Sequence, residues 1–313
     1  MTVLDPQVRA VLEDLARLAL PPINAIPATE ARQQYRDSRA LLRPPAPSLP
    51  HVIDLRTSED AGAVPLRVYR PADGMLPALV FFHGGGWVVG DLDTHDVVCR
   101  QIASQSGAIV IAVDYRLAPE HPFPAAIDDA WAATRWIAVH ATELGVDASR
   151  LAVGGDSAGG DLATVVALMA RDAGGPLLRY QVLIYPVTDL SVDQPSPNDG
   201  VGYGLTRDLM RWYAVQYAPA REHRLDWRAS PLLAPSLQRL PPALVITAAV
   251  DPLRDEGDAY ARRMEEAGVA VDSVCLGGMV HGFLTMGGRI DTANRTVSIV
   301  ATALAQALGT RRT

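Results

Sequence analysis

The chain contains no lysine: all 28 of its basic residues are arginine. That absence removes a P-loop lysine, a Schiff-base lysine and a Ser–Lys dyad from the available chemistries. Cysteine is nearly missing too, with Cys99 and Cys275 alone among 313 residues. Two cysteines so far apart make neither a disulfide framework nor, by themselves, a zinc site. Cys99 falls on the buried face of a helical pattern and Cys275 in a strand pattern, so both are read as inert core residues. No apolar run approaches membrane-spanning length. No basic segment precedes an apolar run near the N-terminus, so no signal peptide is expected and cytoplasmic residence is. Positive charge is not in excess: the net charge is −7, which argues against a nucleic acid or an anionic membrane as partner.

What is present suits a soluble globular protein. Hydrophobic residues make up 49% and charged residues 20% of the chain, and the length is enough for one large α/β domain or two small ones. Apolar residues at helical spacing from Leu4 to Leu20 predict an amphipathic helix stopped by Pro21-Pro22. A second helix is expected over Thr29 to Leu42, then an extended proline-rich linker from Pro44 to Pro50. After strands near Val52–Thr57 and Leu66–Tyr69, short apolar strands alternate with helices to the C-terminus. That rhythm predicts a mostly parallel, eight-stranded sheet covered on both faces. It breaks between Pro186 and Pro242, a segment too long for a simple crossover. The expected division is a helical cap from residues 1–45 and 187–240 over a catalytic core of 46–186 and 241–313. The cap segment includes a loop rich in Pro, Asp and Gly (Ser191–Gly204) and a helix near Thr206–Tyr217.

Gly155-Asp156-Ser157-Ala158-Gly159 is the most informative stretch. It follows the apolar run Leu151–Gly154 and precedes the helical run Asp161–Met169. Strand, tight turn and helix make this pattern a nucleophile elbow, with Ser157 at the turn. The glycines leave room for the turn, and the helix N-terminus directs N–H groups where negative charge develops. His83-Gly84-Gly85-Gly86-Trp87 follows the strand Ala78–Phe82. The N–H groups of Gly84, Gly85 and Ala158 are the expected oxyanion donors. Of seven histidines, His281 lies just past the last strand, where the base should fall in the order Ser, Asp, His. His83 reads as a brace for the glycine loop. Asp251, directly after the strand Ala243–Ala248, is the expected orienting acid. Asp255, Glu256 and Asp258 read instead as charges favoured at the start of a helix. Asp91–Asp96 has metal-like spacing but runs into a helix, so Asp93 or Thr94 as N-cap is the simpler account. The substrate pocket is expected to draw on Trp87, Tyr185, Leu205, Met210 and Phe283. No metal or other cofactor is expected.

Together these residues resemble the bacterial hormone-sensitive-lipase-type carboxylesterases of the α/β-hydrolase superfamily. The likeness rests on His83–Trp87, Gly155–Gly160, Asp251–Gly257 and His281-Gly282-Phe283. Asp114–Pro124 and Ser230–Pro235 are similar to further signatures of that family. Asp161 stands where the family often has asparagine, and Leu276-Gly277 where it usually has Tyr-Pro. The resemblance implies an α/β-hydrolase fold with a helical cap, and hydrolysis of short- to medium-chain esters of small molecules. It supports Ser157, Asp251 and His281 as the triad, and a homodimer through the edge strand near Val271–Leu276. Plant gibberellin receptors resemble the same family but lose the catalytic histidine; this chain keeps His281. An amidase or a deacetylase of a specific metabolite would use the same machinery.

Overall fold

The computed structural model describes residues 3–191 and 204–310. Helix α1 (Pro6–Arg17) begins where expected: Asp5 Oδ1 accepts the Gln7 N–H at 2.8 Å, and Pro6 sits at the first position, where no donor is needed. It ends earlier than the sequence pattern, so Leu18, placed on the apolar stripe by spacing, is 47% exposed. Helix α2 (Ala28–Leu42) follows. The sheet then builds from β1 (His51–Arg56), β2 (Pro65–Arg70) and β3 (Leu76–Phe82), followed by α3 (Asp96–Ser106) and β4 (Ile109–Val113). Helix α4 (Ala125–Val139) leads to β5 (Val146–Asp156), and α5 (Ala158–Ala173) to β6 (Leu178–Ile184). Helices α6 (Arg207–Tyr217) and α7 (Arg221–Leu225) occupy the long segment before β7 (Ala243–Val250). Helix α8 (Arg254–Glu266), β8 (Val271–Val280) and α9 (Asp291–Leu308) complete the chain.

The eight strands form one sheet in the order β1-β2-β4-β3-β5-β6-β7-β8. The β1–β2 and β2–β4 pairings are antiparallel and the rest are parallel. This is the expected α/β-hydrolase architecture. Strand alternation divides its apolar residues between two cores, one per face. In β3, Val80 and Phe82 join the face covered by α4, α5 and α8, while Leu79 and Phe81 join the face covered by α3 and α9. Helix α5, directly behind the elbow, is buried along nearly its whole length. Among the described residues no helix is long and apolar enough to cross a membrane.

Two expectations change here. Cys99 is buried, but Cys275 is exposed, because β8 is the sheet's edge and none of residues 271–277 is buried. Neither Asp93 nor Thr94 caps α3, which starts after His95. Instead Asp91 Oδ1 accepts the N–H groups of Asp93 and Thr94, closing a hydrogen-bonded turn one step earlier. The expected loop Ser191–Gly204 lies almost wholly outside the described residues.

Candidate active site

Ser157, Asp251 and His281 are each the first residue after a parallel strand: β5, β7 and β8 respectively. Parallel strands end on one side of the sheet, so these three side chains share that rim. Ser157 holds φ 57°, ψ −120°, a strained backbone for any residue with a Cβ. The strain is fixed by its surroundings. The Ser157 N–H donates to Ile184 O at 2.9 Å, and its carbonyl accepts from Asp161 and Val187. A Cβ at Gly159 would lie 1.9 Å from Phe82 O, so the elbow closes against β3 only with glycine there.

His281 bridges the other two. Its Nε2 lies 2.7 Å from Ser157 Oγ and its Nδ1 2.7 Å from Asp251 Oδ2. Asp251 is fully buried, and its Oδ1 accepts the Leu253 N–H at 2.9 Å. Both carboxylate oxygens are thus committed, and the one facing Nδ1 selects the tautomer with its proton there. Nε2 is then left as an acceptor for the serine proton.

The glycine loop differs from expectation at one position. The Gly84 N–H donates to Asp156 Oδ1 at 2.9 Å, so it is spent on the protein's own carboxylate. Gly84 does not line the cavity above Ser157, whereas Gly85 and Gly86 do. Among the described residues the N–H groups of Gly85 and Gly86 meet no backbone acceptor. As the first residue of α5, Ala158 has an N–H with no intrahelical partner either. Among the described residues Gly85 and Gly86 are thus the candidate donors on the loop beside Ala158, with Gly86 in place of Gly84. Backbone amides are invisible in a motif, and only the direction of the loop separates the three glycines. His83 is buried beneath the loop, with Nδ1 2.9 Å from Gly84 O and its ring stacked on Tyr115. Burial, followed by the neighbouring His95, pushes its imidazole down to about 4.

The cavity holds about 370 Å³. Leu12 and Leu15 of α1, Tyr35 of α2, and Leu209, Met210 and Tyr213 of α6 line it together with Ser157 and His281. Trp87, Leu205 and Met210 line it as expected, but Tyr185 and Phe283 do not. Both are buried behind the histidine. The Tyr185 ring sits 4.8 Å from the His281 ring and 5.6 Å from that of Phe283, and the Tyr185 hydroxyl donates to Asp156 at 3.3 Å. These two aromatics shape the wall behind the base rather than the substrate space. Among the described residues no group of three His, Cys, Asp or Glu side chains is arranged to hold a metal ion.

Glu256 was hidden from sequence reasoning. It is turned inward from the first turn of α8, and its Oε1 accepts the Thr188 N–H at 2.7 Å and the Asp189 N–H at 3.3 Å. It thereby anchors the chain as it leaves the sheet for the long segment. Burial raises its carboxyl to about 8 against the pull of the Thr188 amide.

Residues 79–285 match the model of a family described by its alpha/beta hydrolase fold. An ethyl acetate hydrolase from Pseudomonas putida is 46% identical over 296 residues, covering 92% of each chain. A carboxylic ester hydrolase of Mycobacterium tuberculosis, LipN, is 47% identical over 259 residues, 79% of this chain and 69% of that one. A hyperthermophilic esterase from the archaeon Pyrobaculum calidifontis superposes with a TM-score of 0.91 at 42% identity, over 97% of this chain and 98% of that one.

Proposed function

The chain belongs to the hormone-sensitive-lipase-type carboxylesterases of the α/β-hydrolase fold and hydrolyses carboxylic esters; from that premise we propose a Ser157–His281–Asp251 mechanism acting on short- to medium-chain esters of small molecules. Ser157 Oγ attacks the ester carbonyl as His281 Nε2 takes its proton. Asp251 holds the imidazole in the productive tautomer and stabilises the imidazolium. The Gly85, Gly86 and Ala158 amides receive the oxyanion, an interaction made only as charge develops, so it lowers the barrier without tightening substrate binding. The alcohol leaves with the proton from His281, and water cleaves the acyl-enzyme by the same route in reverse. The observation that carries this reading is the pair of 2.7 Å contacts made by one imidazole, to Ser157 and to Asp251.

Chain-length preference follows from the cavity. Residues 1–45 and 187–240 act in this reading as one cap over a core of 46–186 and 241–313. Each CH₂ that the cavity accepts adds about 0.8 kcal/mol of apolar burial, roughly fourfold in affinity. Beyond the wall formed by α1 and α6, further CH₂ groups must displace the cap or stay in water. A series of p-nitrophenyl esters from acetate to palmitate, with matched anilides, tests this. kcat/KM should climb, peak and fall steeply before the long chains, with the anilides slower throughout. A profile still rising at palmitate, or activation at a lipid interface, would contradict the bounded cavity; anilides cleaved as fast as esters would make the enzyme an amidase. The same proposal pairs two copies of the chain through the outer edge of β8, beyond which the described residues place no strand, and light scattering reads that directly.

A further inference from the structure

Three consecutive glycines are costly to hold in one conformation, yet the amides of Gly85 and Gly86 must be aimed before charge develops. Several contacts hold the loop, among them the Ala118 N–H on Trp87 O and Arg32 Nε on Val88 O. The N–H groups of Val88 and Val89 donate to Gly85 O, and the Tyr115 hydroxyl donates to His83 O at 2.6 Å. Among the described residues the carboxylate bonded to the three glycines is Asp156, which accepts the Gly84 N–H. Asp156 is also the residue before Ser157, so nucleophile and oxyanion loop hang from one side chain.

Asp156 needs a partner of its own. Its side chain is 4% exposed, and a carboxylate so deep is unfavourable unless paired. The partner is His95, 1% exposed, whose Nε2 lies 3.1 Å from Asp156 Oδ1. That contact is close enough for an ion pair but poorly aligned for a hydrogen bond. On its other side His95 Nδ1 lies 3.0 Å from Thr94 Oγ1, and Thr94 Oγ1 donates to Asp91 O at 2.8 Å. Asp91 in turn pairs with Arg36 of α2. An unbroken polar chain therefore runs from an N-terminal helix, through the Asp91–Asp96 stretch, to the glycine loop. The metal-like spacing of that stretch is accounted for by this chain.

We propose that His95 is a positioning residue for ester hydrolysis: through Asp156 it fixes the aim of the Gly85 and Gly86 amides on the oxyanion. His95 does not line the cavity, so it contacts neither substrate nor reacting atoms. Its loss strips one polar neighbour from a buried carboxylate that keeps only the Gly84 N–H and the Tyr185 hydroxyl as donors, and the loop shifts in response. The substrate's ground state is indifferent to that shift and the transition state is not. The inference rests on the reading of Gly85 and Gly86 as oxyanion donors for Ser157.

The test compares His95→Phe and His95→Gln with the wild-type enzyme. For each, kcat and KM are measured on p-nitrophenyl butyrate. Inhibition constants are measured for a trifluoromethyl ketone, which forms a tetrahedral adduct with the serine, and for the corresponding methyl ether, which cannot. His95→Phe should lower kcat by about 10- to 100-fold, the scale of a misaimed donor. KM should stay within about twofold, and ketone binding should weaken by the same factor as kcat while ether binding does not change. His95→Gln, which restores an N–H toward Asp156, should recover most of the loss. Unchanged kcat, a loss confined to KM, or equal behaviour of Phe and Gln would overturn the inference. If His95→Phe does not fold, Thr94→Val, which frees the other ring nitrogen, must show the same kcat-only effect at smaller size, and its absence overturns the inference equally. Failure of the ketone to inhibit the wild-type enzyme would sink the Ser157 reading and this inference together. Inhibited wild type with unaffected His95 variants would sink this inference alone.

Discussion

Replacing Asp251 by asparagine changes one atom and should remove nearly all activity. The wild-type carboxylate is fully buried and accepts from two sides, His281 Nδ1 at 2.7 Å and the Leu253 N–H at 2.9 Å. An asparagine must aim its NH₂ at one of them. Aimed at His281, it donates to Nδ1 and moves the ring proton to Nε2. That proton then points at Ser157 Oγ, and the base is gone. Aimed at Leu253, it opposes two donors in a fully buried site, which costs on the order of 1–3 kcal/mol. The first orientation is therefore favoured, and the expected loss in kcat is about 10⁴, or roughly 5.5 kcal/mol of transition-state stabilisation. KM should change little, because Asp251 does not line the cavity. Asp255→Asn is the control. Asp255 pairs with Arg254 at 2.8 Å and its side chain is 42% exposed, so its loss should stay within about twofold. Steady-state kinetics on p-nitrophenyl butyrate, with thermal melts to show that both variants fold, decides the matter. A folded Asp251→Asn enzyme within tenfold of wild type, or equal losses in the two variants, would refute the reasoning.

Further outcomes follow from single residues. Glu256 is held near 8 in the fold against about 4.3 for an unperturbed glutamate, so the folded state keeps a proton that the unfolded state gives up. Stability drawn from this group is therefore complete below about pH 4 and is lost as pH rises toward 8. Glu256→Gln keeps an oxygen for the Thr188 and Asp189 amides without titrating. Its melting temperature should gain on wild type between pH 5 and 8 and run parallel above that; a constant gap would show that Glu256 is already ionised in the fold. Gly86→Ala should lower kcat by at least about 100-fold. Its Cβ would lie 2.3 Å from the Tyr213 ring at a φ of 58°, and full activity would exclude Gly86 from the site. Activity should survive EDTA undiminished; loss restored by a divalent ion would reopen the Asp91–His95 stretch as a metal site.

That Ser157, Asp251 and His281 would come together was legible in the sequence because each lies shortly after a strand. A strand ending fixes a position on the rim without any knowledge of side-chain direction. What the sequence hid depends on direction. Gly84, Gly85 and Gly86 are chemically identical, and only the turn of the loop sends one amide to Asp156 and two toward the substrate. Glu256 looks like a favourable charge at a helix start, but its place on the inner side of α8 turns it to the backbone of Thr188. Tyr185 stands at a strand end like the triad residues. Its backbone φ of 35° and its bond to Asp156 turn it behind the histidine instead. Cys275 carries strand character, but edge position rather than composition decides its exposure.

The central claim is that Ser157 is the nucleophile, and covalent labelling tests it most directly. The purified protein is treated with a p-nitrophenyl phosphonate, and the release of nitrophenolate is compared with the mass of the labelled peptide. The account predicts one equivalent released, activity lost in step, and a single adduct on Ser157 in the peptide containing Gly155–Gly159. A folded Ser157→Ala variant should take no label. An adduct on another serine, or esterase activity that survives complete labelling of Ser157, would contradict it.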